Sequence, residues 1–341
     1  MKKHPREALV MASLGAALLG AFIFSLMIGR FGLPWGAIFR VFAAGFSGEV
    51  APDLQQAYNV IFIIRLPRIF LTLLVGAALA LSGAAYQSLF RNPLVSPDIL
   101  GVTSGAGVGA AIGILLDLPS LGIHLASFLL GIGVVALVLS LSKILGGGKN
   151  ASVVLILSGT IMNLLAQSIV SFTKYVADAE SKLPEITFWL MGSFARSGNY
   201  RNILGMLTFF LIGGIPIFLL RWKINVLTFG DEEARSMGID TKRLRGLIIV
   251  CSTLLTAASV SLCGTIGWVG LIIPHISRLL VGPNNRALFP AALLSGSAFM
   301  LIVDDFARAI VPGELPIGVL TAFVGAPLFL YMLFNGKRDW L

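Results

Sequence analysis

The sequence predicts an all-α, polytopic membrane protein with ten transmembrane helices and both termini cytoplasmic. Three observations predict it. Of the 341 residues, 57% are hydrophobic and only 12% charged, with a mean hydropathy of +0.92, well above the apolar share of a soluble domain. Long uncharged intervals recur along the whole chain, and basic residues collect on alternate loops.

The intervals come in order. The first holds 22 residues between Glu7 and Arg30, longer than the roughly 7 to 15 apolar residues of a signal peptide, so it predicts an uncleaved first span. Others run over 69–90, 99–116, 118–142, 150–173, 202–220, 246–277, 287–303 and 315–336. The interval 246–277 would make a single helix roughly 48 Å long, against a hydrocarbon core of about 30 Å. It therefore folds back, at Cys263-Gly264-Thr265-Ile266-Gly267, and nine intervals give ten helices in one domain, 1–341. Helices 2–5 and 7–10 are candidates for an inverted repeat, with a turn at Gly83 echoed at Gly264.

With the N-terminus cytoplasmic, 16 of the 25 Lys and Arg fall on the inner side. The outer nine are Arg30, Arg40, Arg65, Arg68, Lys174, Lys182, Arg196, Arg201 and Arg308. This is the positive-inside pattern. The +9 charge is thus a topology signal. Spread over short loops, it forms no basic face for nucleic acid.

Several chemistries find no residues. Cys251 and Cys263 lie twelve residues apart on one predicted helix, too far for a disulfide, and read as buried thiols. The GAGVG at 105–109 lacks GxGxxG spacing, and LGGGKNAS at 145–152 lacks the Ser or Thr of a P-loop, so the chain itself is expected to bind no ATP or other cofactor. Asp98 reads as a helix-terminus charge and His275 as a kink partner beside Pro274; without a ligand cluster, no metal site is expected. A membrane enzyme would need paired carboxylates or a His cluster; adjacent Asp304 and Asp305 point apart. An ion-coupled secondary transporter would need ionisable groups at the midplane.

Four patterns remain. Gly101, Gly105, Gly109 and Gly113 recur every four residues, a small-xxx-small face for helix packing. Gly159, Asn163, Gln167 and Ser171 form a polar stripe on an apolar helix, suited to a water-filled path or to interhelical hydrogen bonds. The inner insert 221–246 reads as two short helices, DEEARSMG and TKRLRG, broken near Gly238. Arg65 and Arg68 flank Pro67 at the outer start of a helix, where they either snorkel to headgroups or meet a partner.

The stretches RLPRIFLTLLVGAALALSGAAYQSLFRNPLVSPDILGVTSGAGVGA (65–110), FGDEEARSMGIDTKRLR (229–245), GTIGWVGLIIPHISRLLVG (264–282) and ELPIGVLTAFVGAPLF (314–329) resemble the FecCD-type permeases of ABC importers for vitamin B12, haem and iron-siderophore complexes. The resemblance implies a homodimer in a prokaryotic inner membrane. Two ATP-binding subunits using ATP and Mg would sit on the cytoplasmic side, and a periplasmic or extracellular substrate-binding protein would dock outside. It also implies roles. Arg65, Arg68 and Arg308 would receive acidic residues of the binding protein, with an intrahelical Asp304 pair the alternative for Arg308. Gly230, Glu232, Glu233, Ala234, Arg235 and Gly238 would meet the ATPase. Ala151 and Ser152 would form a cytoplasmic gate, and 180–202, with Trp189, a short helix at the path entrance. The solute expected first is an iron chelate or cobalamin, with an oxyanion such as molybdate as the alternative.

Overall fold

The computed structural model describes residues 5–29, 31–47, 50–145, 151–311 and 313–335. These build an all-helical chain. The order begins with α1 (Pro5–Met27), α2 (Trp35–Ser47) and an unbroken helical stretch in which a 3-10 turn (Pro52–Leu54), α3 (Gln55–Tyr58) and a π-helical segment (Asn59–Arg65) lead into α4 (Leu66–Phe90). A 3-10 turn (Pro97–Leu100), α5 (Val102–Leu115), α6 (Ser120–Leu145), α7 (Ala151–Val176), α8 (Lys182–Leu190) and α9 (Tyr200–Leu219) follow. The remainder is α10 (Arg221–Leu227), α11 (Asp231–Ser236), α12 (Thr241–Cys263), α13 (Val269–Val281), α14 (Asn285–Ala309) and α15 (Ile317–Asn335).

Ten of these coincide with the ten expected spans: α1, α4, α5, α6, α7, α9, α12, α13, α14 and α15. Among the described residues, seven helical stretches are long and apolar enough to cross a bilayer on their own, whereas α5, α13 and α15 offer shorter apolar runs. The fold-back falls where expected. Helix α12 ends at Cys263, Gly264 at φ 74° terminates it, and α13 starts at Val269. Local chemistry sets other ends: the Asn199, Asp240 and Asn284 side chains accept from backbone N–H groups at the starts of α9, α12 and α14, which satisfies otherwise orphaned donors.

The repeat is visible in element lengths. A 25-residue helix (α4), a short one (α5, 14 residues) and two of 26 (α6, α7) are answered by helices of 23, 13, 25 and 19 residues (α12 to α15). The packing is exchanged in kind. The first helix of each unit lies against the third of the other, α4 on α14 and α12 on α6. The expected echo of Gly83 and Gly264 is corrected. Gly83 sits inside α4, where a Cβ would stand 1.9 Å from the Gly270 carbonyl oxygen; it is a contact glycine against α13. The counterpart of Gly264, which caps the end of α12, is Arg91, at φ 50° at the end of α4; Gly101, at φ 83° before α5, answers Trp268, at φ 71° before α13.

Helices α4, α12 and α14 form the interior, while α1, α6, α7 and α9 keep apolar flanks exposed. Backbone contact at small residues brings the central helices together, as lipid-solvated helices require. A Cβ on Gly76 would lie 2.4 Å from the Gly296 carbonyl oxygen, and one on Gly213 2.8 Å from that of Cys251. A second apolar cluster joins α1, α2 and the segment 54–69. Cys251 and Cys263 are free thiols buried on α12.

Candidate functional site

The arginines gather at one end of the bundle. Arg65 closes the π-helical segment and Arg68 lies in the first turn of α4, so guanidiniums only three positions apart serve different neighbours. Arg65 is only 3% exposed and donates to the carbonyls of Leu26, Met27 and Phe31. The first two are the last residues of α1, whose terminal carbonyls have no intrahelical donors. Arg68 is 7% exposed. Its Nε and Nη2 grip the Asp304 carboxylate at 3.0 and 2.8 Å, and its Nη1 and Nη2 hold Glu314 at 3.0 Å each.

Arg308 completes the cluster from α14. Its Nη2 donates to the Ser25 carbonyl at 2.7 Å and also meets Asp305, whose carboxylate accepts from the Ser25 hydroxyl at 2.8 Å. The Asp304 pairing anticipated for Arg308 goes chiefly to Arg68, because Arg308 Nε stays 3.9 Å from that carboxylate. Three arginines open to the outside, or snorkelling to headgroups, do not describe this arrangement. A guanidinium out of water needs carboxylates or carbonyls close by, and here the chain supplies them. Glu314 is the one carboxylate in contact with Arg68 that reaches solvent, its side chain 30% exposed. Sequence reasoning overlooked it, although it leads the ELPIG motif.

Glu314 also walls a cavity of about 290 Å³. Its other walls include His124, Glu185, Trp189, Arg196 and the backbone turns at Gly192 and Gly264. These turns are tied together: Ser193 N donates to the Cys263 carbonyl at 2.8 Å, and Ile317 N to that of Gly192 at 3.0 Å. Helix α8 forms one side and packs on α5 and α7. Trp189 belongs to an apolar cluster with Ile186, Ala111 and Ile114. On the approach to α8, the Asp178 carboxyl accepts from the hydroxyl and N–H of Ser181, which holds its pKa below the usual range.

The α7 stripe divides. At Gly159 a Cβ would stand 2.1 Å from the Ile99 carbonyl oxygen, and Asn163 Nδ2 donates to the Asp98 carbonyl at 3.2 Å. Both serve contact with the Pro97–Leu100 turn. Gln167 and Ser171 are exposed, beside the uncovered Leu164 and Phe172. Ala151 and Ser152 begin α7, but their side chains lie outside the described residues. In the 3-10 turn, the Asp98 carboxylate accepts from the Thr103 hydroxyl. The glycines of the other stripe face α6: a Cβ on Gly105 would meet the Leu130 carbonyl oxygen at 2.7 Å and one on Gly109 that of Ala126 at 2.2 Å. Gly113 approaches Ile123 less closely, at 3.3 Å, and Gly101 approaches Val134 at 2.8 Å.

At the opposite end, the insert 221–246 forms α10, α11 and the first turns of α12. TKRLRG is thus the start of a long helix, with the break at Gly238, φ 77°. Arg245 pins α11 down, donating to Asp231 at 2.7 Å and to the Leu89 carbonyl at 3.0 Å. Asn225 reaches Asn284 at 2.7 Å. Ala234 is turned wholly into the chain, within the main apolar core, a correction to its reading as a partner contact. Gly230, at φ 137°, is buried beneath Glu233. Glu232, Glu233, Arg235 and Gly238 are exposed, as are Phe229 and Met237. Among the described residues, no group of three His, Cys, Asp or Glu is placed to hold a metal.

A polytopic helical bundle, with two four-helix units packed crosswise, a clustered charge network at one end and a pinned surface of short helices at the other, defines a transporter's membrane subunit. The chain belongs to the FecCD transport family, whose model matches residues 17–335, and is a permease subunit of an ABC importer. It is 43% identical to the molybdate import system permease protein MolB of Haemophilus influenzae over 317 residues, covering 93% of this chain and 92% of that one. To the cobalamin import system permease protein BtuC of Halobacterium salinarum it is 38% identical over 303 residues, covering 89% and 80%. A solved structure described as an inward-facing metal-chelate type ABC transporter superposes with a TM-score of 0.85 at 40% identity, covering 96% of this chain and 99% of that one.

Proposed function

We propose that the chain carries a metal-containing solute across a prokaryotic inner membrane, with molybdate the first solute to test. The observation behind this choice is the 43% identity to the molybdate permease over nearly the full length of both chains. It moves molybdate ahead of the iron chelate or cobalamin expected from sequence. The metal-chelate type transporter structure keeps iron chelate as the second reading.

Two copies pair so that the open face of α7, with Gln167 and Ser171, lines the path between them. An ATPase subunit, using ATP and Mg, seats on each exposed surface formed by Phe229, Glu232, Glu233, Arg235 and Met237. A binding protein docks at the arginine end. There Glu314 occupies the side of Arg68 that an incoming carboxylate would take, and docking exchanges one for the other. Charged pairs of this kind orient and accelerate encounter. Arg65 and Arg308 hold the ends of α1 and α14 in place beneath that site.

The test is uptake of labelled molybdate, iron-siderophore, haem and cobalamin by a deletion strain that expresses its own ATPase and binding protein and is complemented with this chain. Molybdate uptake that disappears without the binding protein supports the proposal. Uptake of the siderophore alone transfers the assignment to the second reading, and uptake independent of the binding protein overturns the docking scheme.

A further inference from the structure

Helix α2 interrupts the pattern of spans. Its 13 residues extend roughly 20 Å, too short for a hydrocarbon core of about 30 Å. One face, with Ile38 and Val41, is buried in the cluster shared with α1 and the segment 54–69. The packing is specific: Phe42 meets Phe62 edge-on with ring centroids 5.4 Å apart, and a Cβ on Gly45 would touch the Phe62 ring at 3.0 Å.

The opposite face is also apolar. Trp35, Phe39 and Ala43 follow at i, i+4 and i+8 and are all exposed, Phe39 to 71%. A helix apolar on both faces is covered on both. Where this second face ends, Arg40 pairs with Asp53 at 2.9 Å, each side chain 62% exposed, so that edge is charged and uncovered by the chain. Just before Trp35, an apolar hollow of about 370 Å³ is lined by Phe24, Met27 and Ile28 of the end of α1 and by Gly32, Leu33 and Pro34, with Phe24 exposed.

We propose that α2 is an interfacial helix, and that its Trp35, Phe39 and Ala43 stripe, with the adjoining hollow, binds the acyl region of outer-leaflet phospholipid. Continuity with the uncovered flank of the spanning helix α1 identifies the occupant, as does the exposed ion pair at the stripe's edge. An apolar face bounded by a charged edge, with Trp at the boundary, is the arrangement that lies in a leaflet.

Site-directed spin labelling of the full chain in nanodiscs of phosphatidylcholine and phosphatidylglycerol tests this. Cys251 and Cys263 are buried and leave introduced thiols as the labelling sites. Labels at Phe39→Cys and Ala43→Cys are expected to show an oxygen-to-nickel-chelate accessibility ratio close to that of a Leu19→Cys lipid reference. That ratio should be several-fold above the one at the aqueous Arg243→Cys reference, with Arg40→Cys near the latter. Ratios at 39 and 43 equal to the aqueous reference overturn the proposal. Labels at both sites closed to oxygen and nickel alike also overturn it, because protein and not lipid would then cover the face. Having two stripe positions keeps the test open if one variant fails to fold.

Discussion

Arg68 and Asp304, 236 residues apart in sequence, meet through three charged hydrogen bonds of 3.1, 3.0 and 2.8 Å between the start of α4 and the body of α14. The carboxylate is fully buried. Such a pair adds less than its Coulomb attraction suggests, because both ions are desolvated, but removing one partner strands the other.

Asp304→Asn leaves Arg68 paired only to the partly exposed Glu314 and is expected to destabilise the protein by about 1 to 3 kcal/mol, the cost of weakening a buried charged hydrogen bond. Thermal unfolding of the purified chain in detergent reads this. An unchanged transition would show that Glu314 alone satisfies Arg68.

Glu314→Gln acts in the other direction on partner binding. It leaves Arg68 paired to Asp304 while opening its second side, so the binding protein should associate roughly two- to fivefold more tightly, the value of a partly exposed ion pair near 0.5 to 1 kcal/mol. Arg68→Gln should abolish that association. Titration of the binding protein onto nanodisc-held complex measures both, and weaker binding by Glu314→Gln would place docking elsewhere.

Gly109→Ala puts a methyl group 2.2 Å from the Ala126 carbonyl oxygen, and overpacking of this kind costs about 1 to 3 kcal/mol. Gly133→Ala on α6 is the matched control, since a Cβ there meets nothing within 4 Å and alanine favours the helix. Yield of folded protein after detergent extraction should fall for the first and hold for the second.

The two halves of the inner surface should separate. Phe229→Asp removes an exposed apolar contact and is expected to reduce ATPase co-purification. Arg245→Gln releases α11 from Asp231 and from the Leu89 carbonyl; the ATPase should still co-purify while solute-stimulated hydrolysis drops several-fold. Loss of co-purification in both variants would make Arg245 part of the contact surface.

Hydropathy, length and glycine spacing by themselves determined the ten spans, the fold-back after Cys263 and the contact face of α5. Each is a local property: a bilayer demands about 20 apolar residues per crossing and internally satisfied backbone, so the pattern along the chain reports it directly. Helix α2 escaped because Arg30, Arg40 and Glu49 cut its surroundings into short uncharged runs. The same logic that finds spans cannot find a short helix whose apolar run is interrupted by a charge. Only the tertiary structure decided that Arg68 holds Asp304 and Glu314, that Arg65 closes the end of α1, that Gly83 is a contact and not a turn, and that Ala234 faces inward. Spacing along a helix states that a charge or a small residue sits at a given height and face. Which carboxylate or carbonyl waits opposite depends on which helices are neighbours, and the crossed packing of the two repeats brings α4 against α14, where Arg68 finds its carboxylate.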